Sequence, residues 1–169
     1  FRMGREVVRG LDRWCLWMDT EDFDPRDIER SPLLKDRVHA CRAWREKQSR
    51  TGDAWKLRDI PYLMRPNKSR PLAPYVGIPR VVSADRRFYT VAHLSEEIIA
   101  GDQLYTALDP DGFLFAIISS SMFITWQRAV GGHMKSDLRF SNKIVWNTLP
   151  LPEVSDKQRA AIIAAGQGV

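Results

Sequence analysis

The sequence predicts an α+β fold: a small twisted sheet, mixed or antiparallel, with a long N-terminal helix, a buried central helix pair and a C-terminal helix. Three observations predict it. Cap-plus-proline signals at Asp24-Pro25 and Ser31-Pro32 open a run of helical period. Between residues 75 and 108, short apolar runs alternate with Gly, Pro and Asp turns, the rhythm of a small sheet. Residues 113–130 then give two apolar runs of helical character split by three serines.

Taken in order, residues 1–12 read as a basic lead-in and residues 13–18 as an apolar, aromatic strand whose two tryptophans belong in a core. Leu34, Val38, Cys41 and Arg45 recur at helical spacing, which predicts a helix from Ser31-Pro32 to about Gln48. On it Arg37, Arg42, Arg45 and Lys47 are either phosphate contacts or a solvated face. Residues 55–62 fit a short helix or a strand equally well. Residues 64–74, with three prolines and three basic residues, read as an irregular loop. The run from Tyr75 to Val82 is a strand interrupted by Gly77 and Pro79, which predicts an edge or bulged position. A further strand spans 103–108 after a turn at Gly101-Asp102. Asp109–Gly112 opens the buried helix pair, Gly131-Gly132 closes it, and Ser155 caps an Ala-rich helix to about Ala165. That gives an expected division into a domain over 1–153 and a helix over 154–169 that leads to the next part of a longer chain.

At 169 residues the length is that of one domain with a core able to fold without staples. Apolar residues make up 44% and charged residues 28%, ordinary globular composition. No run of 18 apolar residues occurs, so no membrane partner is expected. Cys15 and Cys41, with His39, His93 and His133, lack metal-ligand spacing, and the cysteines read as small apolar residues of a reducing compartment. The net charge of +5 favours a polyanionic partner. Basic residues gather most between 56 and 87: Lys56, Arg58, Arg65, Lys68, Arg70, Arg80, Arg86 and Arg87 face only Asp59 and Asp85.

Residues 123–152 organise the rest. Lys135, Asp137 and Arg139 stand at every second position and share a face if they lie on a strand. A basic, an acidic and a basic side chain aimed one way can read base edges in a DNA groove; a solvated edge strand with self-compensating charges has the same spacing. The run Trp126-x-Arg128-x-Val130-Gly131-Gly132, then Lys135-Ser136-Asp137-x-Arg139-Phe140-Ser141, then Val145-Trp146-Asn147-Thr148-Leu149-Pro150-x-Pro152, resembles the end of a target recognition domain. The family is that of MmeI-like type IIL restriction–modification enzymes and related class II adenine-N6 DNA methyltransferases. Segments 13–17, 37–45, 78–83 and 113–126 fit in the same order, so the resemblance covers nearly the whole chain. Phe140 and Trp146 stand where Tyr is commoner, and Leu149 where Phe is, swaps that keep the bulk.

The resemblance implies a DNA target recognition domain that reads base pairs beside a flipped adenine. It acts on double-stranded DNA for a methyltransferase domain of the same polypeptide, in a bacterial or archaeal cytoplasm. The alternative is a basic protein–protein or general nucleic-acid interaction module with no such association. The chain lacks a Pro-Pro pair, a glycine-rich strand-to-helix loop and any Asp/Glu-x-Lys triplet. No catalytic residue, metal or cofactor is therefore expected in it, and S-adenosylmethionine belongs to the parent's catalytic domain. Two acid–base pairs stand out as readers of G·C pairs, Lys135 with Asp137 and Arg80 with Asp102; the resemblance adds Gln103 with Arg139. Backbone contacts are expected from Lys68, Arg70, Arg86, Arg87, Ser136, Ser141 and Asn142.

Overall fold

The computed structural model describes residues 1–64 and 71–168. The chain, one domain by its length, divides into two compact units, residues 15–69 and residues 1–14 with 70–169.

The smaller unit is helical. A short helix α2 (Asp27–Arg30) precedes α3 (Pro32–Glu46), whose 15 residues match the spacing read from the sequence. The Ser31 hydroxyl accepts from the Leu34 N–H, and Pro32 fills the first turn, where a missing N–H costs nothing. Residues 55–62 resolve as the end of a one-turn helix α4 (Asp53–Lys56) followed by turns. Arg45 is a tie rather than a phosphate contact: its guanidinium donates to the carbonyls of Leu57, Ile60 and Leu63 at 2.6, 2.9 and 2.8 Å. Arg42 pairs with Glu46 at 3.0 Å and with Asp59 at 3.8 Å. The expected strand over 13–18 does not form. No strand edge among the described residues pairs with it, and Trp14 is 91% exposed rather than in a core. Cys15 and Cys41 are half-buried free thiols.

The larger unit holds two three-stranded antiparallel sheets. One has the order β3-β1-β4, from β1 (Tyr75–Pro79), β3 (Ala92–Leu94) and β4 (Leu104–Leu108). The other has the order β2-β6-β5, from β2 (Val81–Val82), β5 (Gly132–Met134) and β6 (Asp137–Arg139). β1 is therefore a central strand, not the edge that Pro79 suggested. The reason lies in register. β3 pairs only as far as Gly77, while β4 pairs through Pro79, and the next N–H, that of Arg80, points to the Gln103 carbonyl at 3.0 Å. The proline nitrogen then faces the side where β3 has ended, and no ladder bond is lost.

The serine break separates α5 (Phe113–Ile118) from α6 (Ser121–Val130), which pack a core of Val76, Ile78, Val82, Tyr89, Phe123, Ile124 and Phe140 between helices and sheets. Buried Asp109 caps α5 from below, its carboxylate accepting the N–H groups of Leu114 and Phe115, both at 2.9 Å. The C-terminal helix α7 (Asp156–Gly166) lies on α5. Gly166 sits so close to Ala116 that a Cβ there would be 2.5 Å from the Ala116 methyl, and Arg159 pairs with Asp111 at 2.7 Å. The lead-in is also ordered. Residues Gly4–Arg9 form a helix, α1, closed by Gly10 at φ 63°, and Arg2 bridges to Ala100. No helix among the described residues is long and apolar enough to cross a membrane.

Candidate nucleic-acid interface

Arg80 is the residue at which the chain passes from one sheet to the other. Its N–H donates to the Gln103 carbonyl at 3.0 Å, and its own carbonyl accepts the Phe140 N–H at 2.9 Å. Three stretches far apart in sequence, at Arg80, Asp102-Gln103 and Arg139-Phe140, are thus joined backbone to backbone. Below them the core fixes the junction. Buried Tyr89 donates its hydroxyl to the Pro79 carbonyl at 2.8 Å, and burial raises its pKa, so it stays a neutral donor. Phe140 packs edge-on against Tyr105 at 5.2 Å, and the Arg80 guanidinium lies 5.3 Å over the Tyr105 ring.

β6 supplies the second part. It pairs with β2 as Val81↔Arg139 and with β5 as Met134↔Asp137 and Gly132↔Arg139. Opposed residues share a face, so Asp137, Arg139, Val81 and Met134 face one way. Leu138 and Val82 face the other way, into the core. Lys135 departs from the alternation expected of it. With Ser136 it makes the two-residue turn between β5 and β6, at φ 57°, a left-handed conformation that a non-glycine residue pays about 1–2 kcal/mol to hold. Lys135 therefore projects from the hairpin tip, and only Asp137 and Arg139 share a strand face.

Arg80, Asp102, Gln103, Lys135 and Arg139 are exposed and Asp137 is half-buried. Neither Arg80–Asp102 nor Lys135–Asp137 forms an ion pair among the described residues. Among the expected backbone contacts, Lys68 and Arg70 lie outside the described residues. Arg86 donates to the Val8 carbonyl at 3.3 Å, and Arg87 lies 5.2 Å over the Phe88 ring. Ser136 is exposed in the turn. Ser141 caps a wide helical turn over Asn142–Trp146 by accepting from the Ile144 N–H, and the Asn142 side chain accepts from the Lys143 N–H.

Several residues of the motif in 126–146 are scaffold. Trp126 donates its indole N–H to the Val145 carbonyl at 3.0 Å. Arg128 donates to the carbonyls of Ala84 and Arg86 at 3.0 and 2.8 Å, fixing the loop after β2. Gln127, fully buried, donates to the Arg139 carbonyl at 3.1 Å and so pins β6 from beneath.

Sequence reasoning missed Arg5 and Arg9. They lie one turn apart on α1 and form a wall of an open groove of about 480 Å³ whose floor is Pro79, Arg80, Val81 and Gln103. The signal that would have found them is Gly10, a left-handed helix stop after Arg5-x-x-x-Arg9.

With this geometry in view, the relatives are informative. A family model described as MmeI, target recognition domain, matches residues 1–153. The chain belongs to the MmeI target recognition domain family. It is similar to a DNA methyltransferase A of Bacillus subtilis (strain 168), at 29% identity over 164 residues, 93% of this chain and 17% of that protein. It is also similar in structure to the type IIL restriction–modification enzyme MmeI, solved in complex with DNA, with a TM-score of 0.80 and 28% identity over 98% of this chain and 22% of that one. The target recognition domain thus spans about a fifth of the length of the proteins it matches.

Proposed function

We propose that this target recognition domain reads DNA sequence for an adenine-N6 methyltransferase carried in the same polypeptide, with S-adenosylmethionine bound in that catalytic module. The observation that carries the reading is the junction at Arg80. Backbone hydrogen bonds set Arg80 beside Gln103 and Phe140, and the side chains of Arg80, Asp102, Gln103 and Arg139 emerge there exposed and without ion-pair partners among the described residues. Family membership and the likeness to a methyltransferase and to MmeI support the DNA partner.

Methylating an adenine within a duplex requires flipping it out of the stack, and the module that holds the flipped base touches few neighbours. A second surface must set the register and read the flanking pairs. In the major groove G offers its N7 and O6 acceptors and C its N4 donor, so a cation beside a carboxylate reads one G·C pair across both strands, with about 1–3 kcal/mol of discrimination for each bidentate contact. Lys135 at the hairpin tip takes G, and Asp137, in the strand pair that closes the turn, takes C. Arg80 and Asp102 take a second G·C pair, and Gln103 with Arg139 forms the third reader.

The test is made in a methyltransferase polypeptide that carries this domain, by modification-sensitive sequencing of DNA exposed to the wild type and to a Lys135→Glu, Asp137→Arg double variant. The expected outcome is a recognition site in which one G·C pair near the methylated adenine becomes C·G. An unchanged site, modified to the same level, removes Lys135 and Asp137 from the readers. A wild type that methylates no DNA overturns the association with a methyltransferase.

A further inference from the structure

The groove beside Arg80 is lined by cations that the fold leaves unused. Arg5 and Arg9, on successive turns of α1, are both exposed. Among the described residues, neither guanidinium makes a hydrogen bond or an ion pair, and no carboxylate lines the groove. Neighbouring arginines show that partners were within reach of this segment: Arg2 pairs with Asp12 at 2.5 Å, and Arg13 approaches Glu6 at 3.9 Å. The two carboxylates are spent away from the groove, and positive charge accumulates on one side of α1.

The helix that carries these arginines is held firmly. The Arg2 N–H donates to Ile99 at 2.9 Å, the Gly101 N–H donates to the Arg2 carbonyl at 2.6 Å, and Arg86 donates to the Val8 carbonyl at 3.3 Å. A Cβ on Gly101 would lie 2.6 Å from Met3 Cγ, so the helix seats against the turn that precedes Gln103. A rigid pair of arginines one helical turn, about 6 Å, apart suits neighbouring phosphates of one strand.

We propose that Arg5 and Arg9 bind two phosphates of the DNA backbone and thereby set the register in which Arg80 and Gln103 meet the bases. This rests on the DNA-reading function above, and adds a phosphate clamp on α1 to it. Contacts of this kind carry no sequence information but position the reader, and each neutralised phosphate releases counterions.

The experiment measures binding of the chain to labelled duplexes of several sequences by fluorescence anisotropy, from roughly 50 to 200 mM salt. Replacing both residues, Arg5→Gln with Arg9→Gln, lowers the slope of log affinity against log salt by about 1.8 on every duplex, from about 0.9 for each phosphate left without its arginine. Across that fourfold rise in salt the variant then loses about 12-fold less affinity than the wild type. The Arg5→Lys, Arg9→Lys variant keeps the wild-type slope, which separates charge from helix packing. Arg80→Gln alters the preference among duplexes. A double glutamine variant with the wild-type slope and affinity overturns the clamp and leaves the reading function standing. A wild type with no salt-dependent binding to any duplex overturns both.

Discussion

Replacing Gly131 by alanine tests how the end of α6 is tied to the hairpin that carries Asp137 and Arg139. The two glycines 131 and 132 look equivalent in the sequence, and neither has a positive φ. Their surroundings differ. A Cβ on Gly131 would overlap both the main-chain oxygen and the side-chain amide nitrogen of Gln127, and would lie 2.8 Å from its Cδ; around Gly132 no heavy atom lies within 4 Å. That main-chain oxygen accepts the Gly131 N–H at 2.8 Å as the last bond of the helix, and the amide holds the Arg139 carbonyl at 3.1 Å. Gln127 is fully buried, and its main-chain oxygen belongs to the helix backbone and not to a side chain that could swing away. Overpacking of this kind costs about 1–3 kcal/mol and each weakened hydrogen bond about 0.5–1.5. A loss near 3 kcal/mol is expected for Gly131→Ala, with a Tm lower by about 6–12 °C for a chain of this size. Gly132→Ala meets nothing and gains up to about 1 kcal/mol by restricting the unfolded chain. Thermal unfolding followed by circular dichroism compares the three proteins. A Gly131→Ala protein melting within about 2 °C of wild type, or a Gly132→Ala protein falling equally far, would refute the reasoning.

Other outcomes follow from the same structure. Lys135→Gly releases the left-handed strain at φ 57° and should raise stability by up to about 1 kcal/mol while weakening discrimination at one G·C pair, seen as a higher Tm with a relaxed binding preference. Asp109→Ala leaves two N–H groups of α5 without their acceptor and should cost about 2–4 kcal/mol in denaturant unfolding, against little change for the exposed Trp14→Ser. The hydrogen bond from Arg159 holds the Asp111 carboxyl below its ordinary pKa. Its stabilising contribution is therefore complete above the unfolded pKa, near 4, and is lost as pH falls through that value toward the folded one. An Asp111→Asn protein should lose less stability than wild type between about pH 5 and 2.

Much of the fold was legible because local chemistry and final structure agree. Ser31-Pro32 announced α3, the three serines marked the gap between α5 and α6, and Ser155 marked the start of α7. Misreadings came where distant pairing decides. The aromatic run 13–18 has strand composition but finds no sheet edge, and Pro79 suggested an edge strand because nothing local tells where β3 stops. The turn at Lys135-Ser136 lacks the Asn-Gly or Asp-Gly pair that makes a two-residue hairpin visible, so the charged alternation read as one continuous strand. For the site, residue types pointed to a polyanion, and the resemblance to one family supplied the reader positions. That Arg80 meets both Gln103 and Phe140 is a long-range fact that only the fold supplies. Conversely, Trp126 and Arg128, conspicuous in the motif, turn out to hold carbonyls in place.

The most direct test of the central claim is affinity selection of the chain against a pool of duplexes with a randomised segment, followed by sequencing of the bound fraction. Sequence recognition predicts enrichment of one short motif, with a G·C pair that becomes C·G in the Lys135→Glu, Asp137→Arg variant. A bound fraction with the composition of the starting pool would contradict it.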